Sequence, residues 1–457
     1  MKRVVVLALV ALLAVSSVAA AQEGRSYVLQ AAGKWTGAQT QAVAAAGGSL
    51  TFSHEDTGIG VATSANPDFA ARAAALGKFS AVTPDMMVQW QQPTPTVTLE
   101  ETAVTPIPPN DRYYPIQWAP QAVSAPDAWA AGCTGAGVRV AVLDGGIYDA
   151  HPDLAGRIDV AASTSFVPGV PYNFDNAVGF WHGTHVAGIV AASANNISAT
   201  FTGGVVGIAP EATIVGVKVL DEGIGSFGWV IQGILYAATP VSAGGAGAQV
   251  INMSLGAAFY KNEKGAGPLV AALNKAVNYA DRFGVLVVSA AGNNGLDLDH
   301  SGNVISVPAQ SGSGIAVSAT GPMGFAYGAT DFTRIASYTN YGTSAVNVAA
   351  PGGDFVYPGN ETCTLSLNPS GSITRPCWVF DMVFSTNVGG YAWAAGTSMA
   401  APAVSAIAAM VIQANPGISL GVLKTRIAQT ADDEGKVGRD PFYGSGFVNA
   451  YKACTAR

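Results

Sequence analysis

The sequence predicts an α/β fold in which a parallel β-sheet is covered by helices on both faces, preceded by a small α+β unit. Three observations carry that prediction. From about residue 112, short apolar, β-branched segments recur, among them "VRVAVLD", "TIVGVKVLD", "QVINMSLG", "GVLVVSAAGN" and "AVNVAAPG". Strands apolar along their whole length are those buried on both faces. Between several of them lie Ala-rich stretches with helical spacing, "GWVIQGILYAA" and "PLVAALNKAVNYADRF", the alternation from which parallel sheets are built. The chain is also long enough: its 457 residues, 49% hydrophobic and 11% charged, can bury a large core and hold more than one domain.

The elements follow in order. Residues 1–21, "MKRVVVLALVALLAVSSVAAA", have a Lys2-Arg3 head, an apolar stretch from Val4 to Val15 and an A-x-A ending, the pattern of a secretory signal. The apolar run is short for a bilayer span, so a secreted, extracellular protein is expected, with no membrane contact after signal removal. Residues 22–92 alternate as "SYVLQA", a helical "TGAQTQAVAAAG", "SLTFSH", "GIGVATS", a helical "NPDFAARAAALGK" and "AVTPDMMVQW". Strand, helix, strand, strand, helix, strand is the ferredoxin-like arrangement. Residues 93–111 follow as a Pro/Thr-rich tract that reads as an exposed linker. Residues 112–457 make the large α/β domain.

Charge narrows the function. The net charge of -7, with no run of Lys or Arg, offers no footprint for a phosphate backbone, so nucleic acid is not expected as a partner. Export places Cys133, Cys363, Cys377 and Cys454 in an oxidising environment, and no C-x-x-C spacing suggests zinc. Of the three possible connectivities, Cys363–Cys377 with Cys133–Cys454 is preferred: the first closes a local loop, the second ties the two ends of the large domain together. A monomer is expected.

Three motifs carry candidate chemistry. In "VAVLDGGI", Asp144 ends an apolar strand, on the sheet edge where α/β proteins bind ligands. In "HGTHVAGIVAAS", His182 opens a helix and His185 follows one turn later; without the glutamate of H-E-x-x-H, His185 reads as a core histidine rather than a metal ligand. In "GTSMAAPAVSAIAAMVIQAN", Ser398 stands at the start of a long apolar helix, where free N–H groups favour developing negative charge. A serine needs a base to become a nucleophile, a histidine can be that base, and a buried carboxylate can fix its tautomer. A fourth motif, "GISLG", would make Ser419 the nucleophile of an esterase, but that elbow needs a strand before the serine. A helix and "NPG" precede it, so Ser419 is expected to cap the following helix.

The Asp144, His182 and Ser398 blocks, in that order, resemble those of the subtilisin-family (subtilase) serine proteases. The resemblance implies a secreted serine endopeptidase acting on proteins and peptides through an acyl-enzyme, with Ser398 as nucleophile, His182 as general base and then acid, and Asp144 as its orienter. It places an oxyanion donor at Asn293 in "AAGNNG" and substrate-binding walls at Ser254, Leu255 and Gly256 and at Ala290, Ala291 and Gly292. Those walls are small and apolar, which leans the primary pocket to apolar side chains. No cofactor is implied for the chemistry. Structural calcium is implied at Asp153, with carbonyl and Asn ligands from "ANNISATFTGG". The "DLD" at Asp297 to Asp299 reads instead as an exposed acidic loop. The small unit at 22–92 matches the family's inhibitory, folding-assisting propeptide, whose tail occupies the cleft until the chain matures itself within the linker; a permanently attached binding domain is the alternative. One departure stands out: Gly145 follows Asp144 where the family usually has Ser or Thr, and activity is expected to survive the change.

Overall fold

The structure is a computed structural model that describes residues 24–92, 94–99, 111–174, 180–196, 198, 201–357, 359 and 361–456. The expected signal, residues 1–21, lies outside the described residues, as do residue 93 and residues 100–110 of the expected linker.

Strands β1 (Arg25–Gln30), β2 (Ser49–His54), β3 (Ile59–Ser64) and β4 (Ala81–Pro84) form a sheet in the order β2-β3-β1-β4, every pair antiparallel. Helices α1 (Gly37–Ala45) and α2 (Phe69–Ala75) complete the expected strand and helix order. Thr36 and Gln39 start α1 as a reciprocal capping box, and Tyr27, Leu29, Trp35, Val43 and Phe69 form this unit's own core.

The tract that reads as an exposed linker is in part a strand. After β5 (Met87–Gln89), residues Thr96–Leu99 form β6, in which Val97 and Leu99 are half-buried. Alternating β-branched residues suit a pleated, half-buried edge, which outweighs the turn-forming prolines on either side.

The large unit supplies the remaining strands: β7 (Arg139–Asp144), β8 (Thr164–Ser165), β9 (Thr213–Lys218), β10 (Ile224–Ser226), β11 (Val250–Met253), β12 (Ala257–Tyr260), β13 (Leu286–Ala290), β14 (Val304–Val307), β15 (Ile315–Thr320), β16 (Val346–Pro351), β17 (Thr362–Ser366), β18 (Ser372–Pro376), β19 (Val383–Asn387) and β20 (Gly390–Ala394). Its helices are α3 (Ala119–Ala122), α4 (Ala125–Ala130), α5 (His182–Ala191), α6 (Phe227–Ala238), α7 (Ala266–Arg282), α8 (Thr397–Ala414), α9 (Leu420–Gln429) and α10 (Ala450–Thr455). Seven strands form one sheet in the order β16-β15-β13-β11-β7-β9-β8, every pair parallel. Outward from β7 the chain order runs through β11 on one side and β9 on the other. That reversal makes β7 the topological switch point, where a crevice opens beyond the strands' carboxyl ends. Asp144 is the last residue of β7.

The two faces of the sheet are covered differently. Helices α5 and α8 pack on one face with Val140, Val142, Val288 and Val317, while α6 and α7 cover the other with Leu143, Val215, Ile251 and Val287. Trp90, Val28 and Ile59 of the N-terminal unit join that second cluster. Helix α8 is long and apolar enough for a membrane span, but 83% of it is buried inside the fold. Both preferred disulfides are present, Cys363–Cys377 across the β17–β18 hairpin and Cys133–Cys454 between the ends of the large unit. Ser419 caps α9 through Val422 N–H, as expected.

Candidate active site

The switch-point crevice gathers Asp144, His182 and Ser398 from β7 and the first residues of α5 and α8. Asp144 is buried. Its Oδ1 accepts from the Gly145 N–H at 2.6 Å and its Oδ2 lies 2.9 Å from His182 Nδ1. A carboxylate only accepts, so Nδ1 carries the hydrogen and Nε2 is left with a free lone pair. Helix α5 can come this close because residue 183 is glycine: a Cβ there would lie 2.2 Å from the Gly146 carbonyl oxygen and 3.1 Å from Asp144.

Gly145 has a physical cause as well. A Cβ at this position would sit 2.6 Å from Cδ1 of Phe180, whose ring stacks on His182 with centroids 6.1 Å apart. The hydrogen bond that a hydroxyl at position 145 could give Asp144 comes instead from the Gly145 N–H. Behind this turn, Lys218 is buried and donates to the Gly145 carbonyl at 2.6 Å while pairing with Asp221.

Ser398 sits in the first turn of α8, 7% exposed. Its hydroxyl donates to the Ser254 carbonyl at 3.2 Å rather than to His182. In return, Ser254 Oγ donates to the Ser398 carbonyl at 2.6 Å. Asn293 is oriented from the same turn: its Oδ1 accepts from the Thr397 N–H at 2.9 Å and the Thr397 hydroxyl at 2.7 Å, leaving Nδ2 to face the Gly396 end of the helix. Among the expected wall residues, the Ser254 carbonyl accepts from Ser398 and the Gly256 N–H donates to the Trp90 carbonyl. Leu255, Ala290 and Ala291 are buried, and Asn340 packs so close behind Gly292, at φ +105°, that a Cβ there would lie 2.4 Å from its amide nitrogen.

The crevice is occupied by the chain itself. β5 pairs antiparallel with β10. Trp90 N–H donates to Gly223 O at 2.9 Å, its carbonyl accepts from Gly256 N–H at 2.8 Å, and its ring packs against Phe227 and Phe259. Gln91 Nε2 lies 2.8 Å from His182 Nδ1 and 3.4 Å from the Ser254 carbonyl. Since the Nδ1 hydrogen goes to Asp144, the amide hydrogen of Gln91 is directed to Ser254. Gln91 was not singled out in the sequence; only its place at the end of an apolar strand set it apart.

The other histidine of the motif stays out of the crevice. His185 is fully buried with Nε2 3.1 Å from the Ala392 carbonyl, and burial, followed by the neighbouring His182, pulls its pKa down to about 3. It is a neutral core donor.

Asp153 belongs to a different set of contacts from Asp144, His182 and Ser398. Its Oδ2 accepts from Val205 N–H at 3.0 Å and the Tyr391 hydroxyl at 2.9 Å, and burial pushes its pKa up to about 7. Its Oδ1 and the Oδ1 of Asn196 are both buried without a hydrogen-bond donor. Asp111, which sequence reasoning missed, is buried nearby and accepts from Asn195 N–H. Among the described residues, no three side chains of His, Cys, Asp or Glu cluster as a metal site. At the "DLD" loop, Asp297 pairs with His300 and Asp299 accepts from Thr343 and Ser344 at the surface.

Comparison with known proteins agrees with this architecture. The sequence profile of the Subtilase family matches residues 135–446. The chain is 36% identical to Subtilisin Savinase of Lederbergia lenta over 342 residues, 74% of this chain and 98% of that protein. It is 35% identical to Thermitase of Thermoactinomyces vulgaris over 350 residues, 76% and 98% of the two. Among solved structures, the epidermin leader peptide processing serine protease of Staphylococcus aureus superposes with a TM-score of 0.72 at 20% identity, covering 95% of this chain and 99% of that one. That last likeness concerns the fold alone.

Proposed function

The chain belongs to the subtilase family and is a serine endopeptidase, and from that premise we propose that Ser398, His182 and Asp144 carry its chemistry. The observation that supports this best is the buried 2.9 Å contact of Asp144 with His182 Nδ1, beside a serine at a helix start. When a peptide binds, the Ser398 hydroxyl turns from the Ser254 carbonyl to His182 Nε2. As Oγ bonds to the scissile carbonyl carbon, Nε2 takes its proton, and Asp144 stabilises the imidazolium. The new oxyanion accepts from Asn293 Nδ2 and the Ser398 N–H. His182 then protonates the leaving amine, giving the acyl-enzyme, and water repeats the sequence in reverse to release the acid. The walls at Ser254–Gly256 and Ala290–Gly292 give the pocket its leaning to apolar side chains.

Subtilases need no cofactor for catalysis, and structural calcium is common among them. The residues here fit such an ion: Asp153 and Asn196 each leave a buried oxygen without a donor, and Asp111 adds a second carboxylate. These groups, with loop carbonyls, would hold a hard cation whose contribution is stability rather than a chemical step. The ion's double charge would also remove the cost of burying two carboxylates.

Residues 22–92 act as the chain's own inhibitor, with Trp90 and Gln91 seated where a substrate would lie. The protein is secreted through residues 1–21 and matures itself by cutting the segment that crosses the crevice. Intact mass of the secreted protein, wild type beside Ser398→Ala, tests this. The wild type should lose the N-terminal unit while the variant keeps it; equal processing of both would mean that another protease makes the cut.

A further inference from the structure

The segment in the crevice does not end at the serine. Thr94 Cγ2 lies 3.2 Å from where a Cβ of Gly396 would be, and beyond it β6 pairs antiparallel with β20 in the register Thr96↔Ala394, Val97↔Trp393, Thr98↔Ala392, Leu99↔Tyr391. β20 pairs on its other side with β19, so β6 covers an edge that would otherwise expose a row of backbone donors and acceptors. Val97 and Leu99 pack on the cluster that holds Tyr113, Phe384, Tyr391 and Trp393, whereas Thr98 is exposed. The described residues of 87–99 therefore pair with β10 before the serine and with β20 after it, with Gln91 at His182 and Thr94 at Gly396.

We propose that the edge of β20 covered by β6 is a binding site for the leaving-group side of a substrate. It takes an extended peptide segment as an added strand and selects apolar side chains two residues apart, with Thr96–Leu99 as its built-in occupant. Strand addition of this kind draws affinity from main-chain hydrogen bonds and selectivity from pockets for alternate side chains. The pairing of Val97 and Leu99 with Trp393 and Tyr391 supplies both. The site also explains why β6 is a strand at all in a tract rich in proline: the segment is held as a substrate is held. A substrate long enough to reach β20 must displace β6, which is tethered to the body of the protein at Asp111 and so competes at high effective concentration.

The proposal rests on Ser398 being the nucleophile, and the test separates the two. The matured chain carrying Val97→Asp and Leu99→Asp, which frees the edge of its own strand, is given three peptides. One has the sequence of residues 87–99, one that of 87–95, and one that of 87–99 with Asp in place of Val97 and Leu99. Cleavage of the short peptide reads the chemistry at Ser398; the ratio of long to short reads the β20 edge. The apolar long peptide is expected to show a kcat/KM at least about tenfold above the other two, from four cross-strand pairs and two apolar contacts. In the wild-type background the ratio should shrink, because the tethered strand competes. Equal rates for the three peptides in the variant would overturn the proposal. If the double aspartate chain does not fold, Val97→Ala with Leu99→Ala replaces it, with the same expected and refuting ratios.

Discussion

Gly145→Ser restores the hydroxyl that most of the family carries beside its aspartate, and it should damage this protein. The added Cβ would lie 2.6 Å from Phe180 Cδ1, about 0.8 Å inside ordinary contact at 3.4 Å. Phe180 cannot yield freely, because its ring stacks on His182 at 6.1 Å and abuts Trp181 at 6.4 Å. Overpacking of this kind costs about 1–3 kcal/mol. A displacement approaching 1 Å passed to a catalytic imidazole costs on the order of a hundredfold in rate. We therefore expect kcat/KM to fall roughly ten- to a hundredfold, mostly in kcat, since the proposed substrate walls at Ser254–Gly256 and Ala290–Gly292 are untouched. The assay is hydrolysis of a chromogenic peptide, with melting temperatures taken in the Ser398→Ala background to avoid self-digestion. Gly145→Ser with Phe180→Ala should regain most of the lost activity, because the clash is removed and the new hydroxyl can then donate to Asp144. An unchanged rate for Gly145→Ser, or a double variant no better than the single one, would refute the argument that Phe180 dictates the glycine.

Asn293→Ala should lower kcat by the hundred- to thousandfold seen for the equivalent donor in subtilisin, and Thr397→Val, which removes one of the two donors orienting Asn293, by about tenfold with KM nearly unchanged; steady-state kinetics separates the two. Ser254→Ala leaves the Ser398 carbonyl without its 2.6 Å donor, and should destabilise the fold by about 1–3 kcal/mol, read by denaturant unfolding in the Ser398→Ala background. Asp381 gives a pH test. Its carboxyl is pushed up to about 6, first by burial, against donors at Gly324 and Phe325. A raised acid contributes stability that is complete below its unfolded pKa and is lost as pH rises through the folded one. The stability of Asp381→Asn relative to wild type should therefore climb between about pH 4 and pH 6 and then level off; a flat difference would count against the shift.

The large sheet was legible because its strands are apolar throughout and leave only one way to be buried, on both faces. Asp144 could be placed at a strand end and His182 and Ser398 at helix starts, since each ends or begins an unbroken apolar pattern. What the sequence hid were contacts between segments far apart in the chain. Phe180 explains Gly145, Thr397 aims Asn293, and Asp111 lies near Asp153 while accepting from Asn195, yet none of these pairings leaves a periodic trace. β6 was hidden for a different reason. Four strand residues in a tract rich in proline and threonine look like linker until a partner edge exists, and β20 is almost 300 residues away.

The start of α8 shows how a local rule broken in the sequence turns into a functional device. In an unbroken helix the N–H of residue 402 would donate to the carbonyl of residue 398, but residue 402 is proline and has no such hydrogen. The Ser398 carbonyl is freed from the ladder without being left orphaned, because Ser254 Oγ donates to it. Ser254 Oγ itself accepts from Asn252 Nδ2 at 2.9 Å, and Asn252 Oδ1 accepts from Ser405 Oγ at 2.9 Å, about two turns further along the same helix. All four residues are buried, where an unpaired polar group is costly and a fully paired network is rigid. The proline thus exchanges one helical hydrogen bond for a lock between α8 and the strand end at Ser254. Residue 254 belongs to the wall proposed to pair with substrate, so the lock would fix the proposed nucleophile relative to the peptide. That relative position, more than the acidity of any one group, is what a helix with an intact ladder would have left to chance.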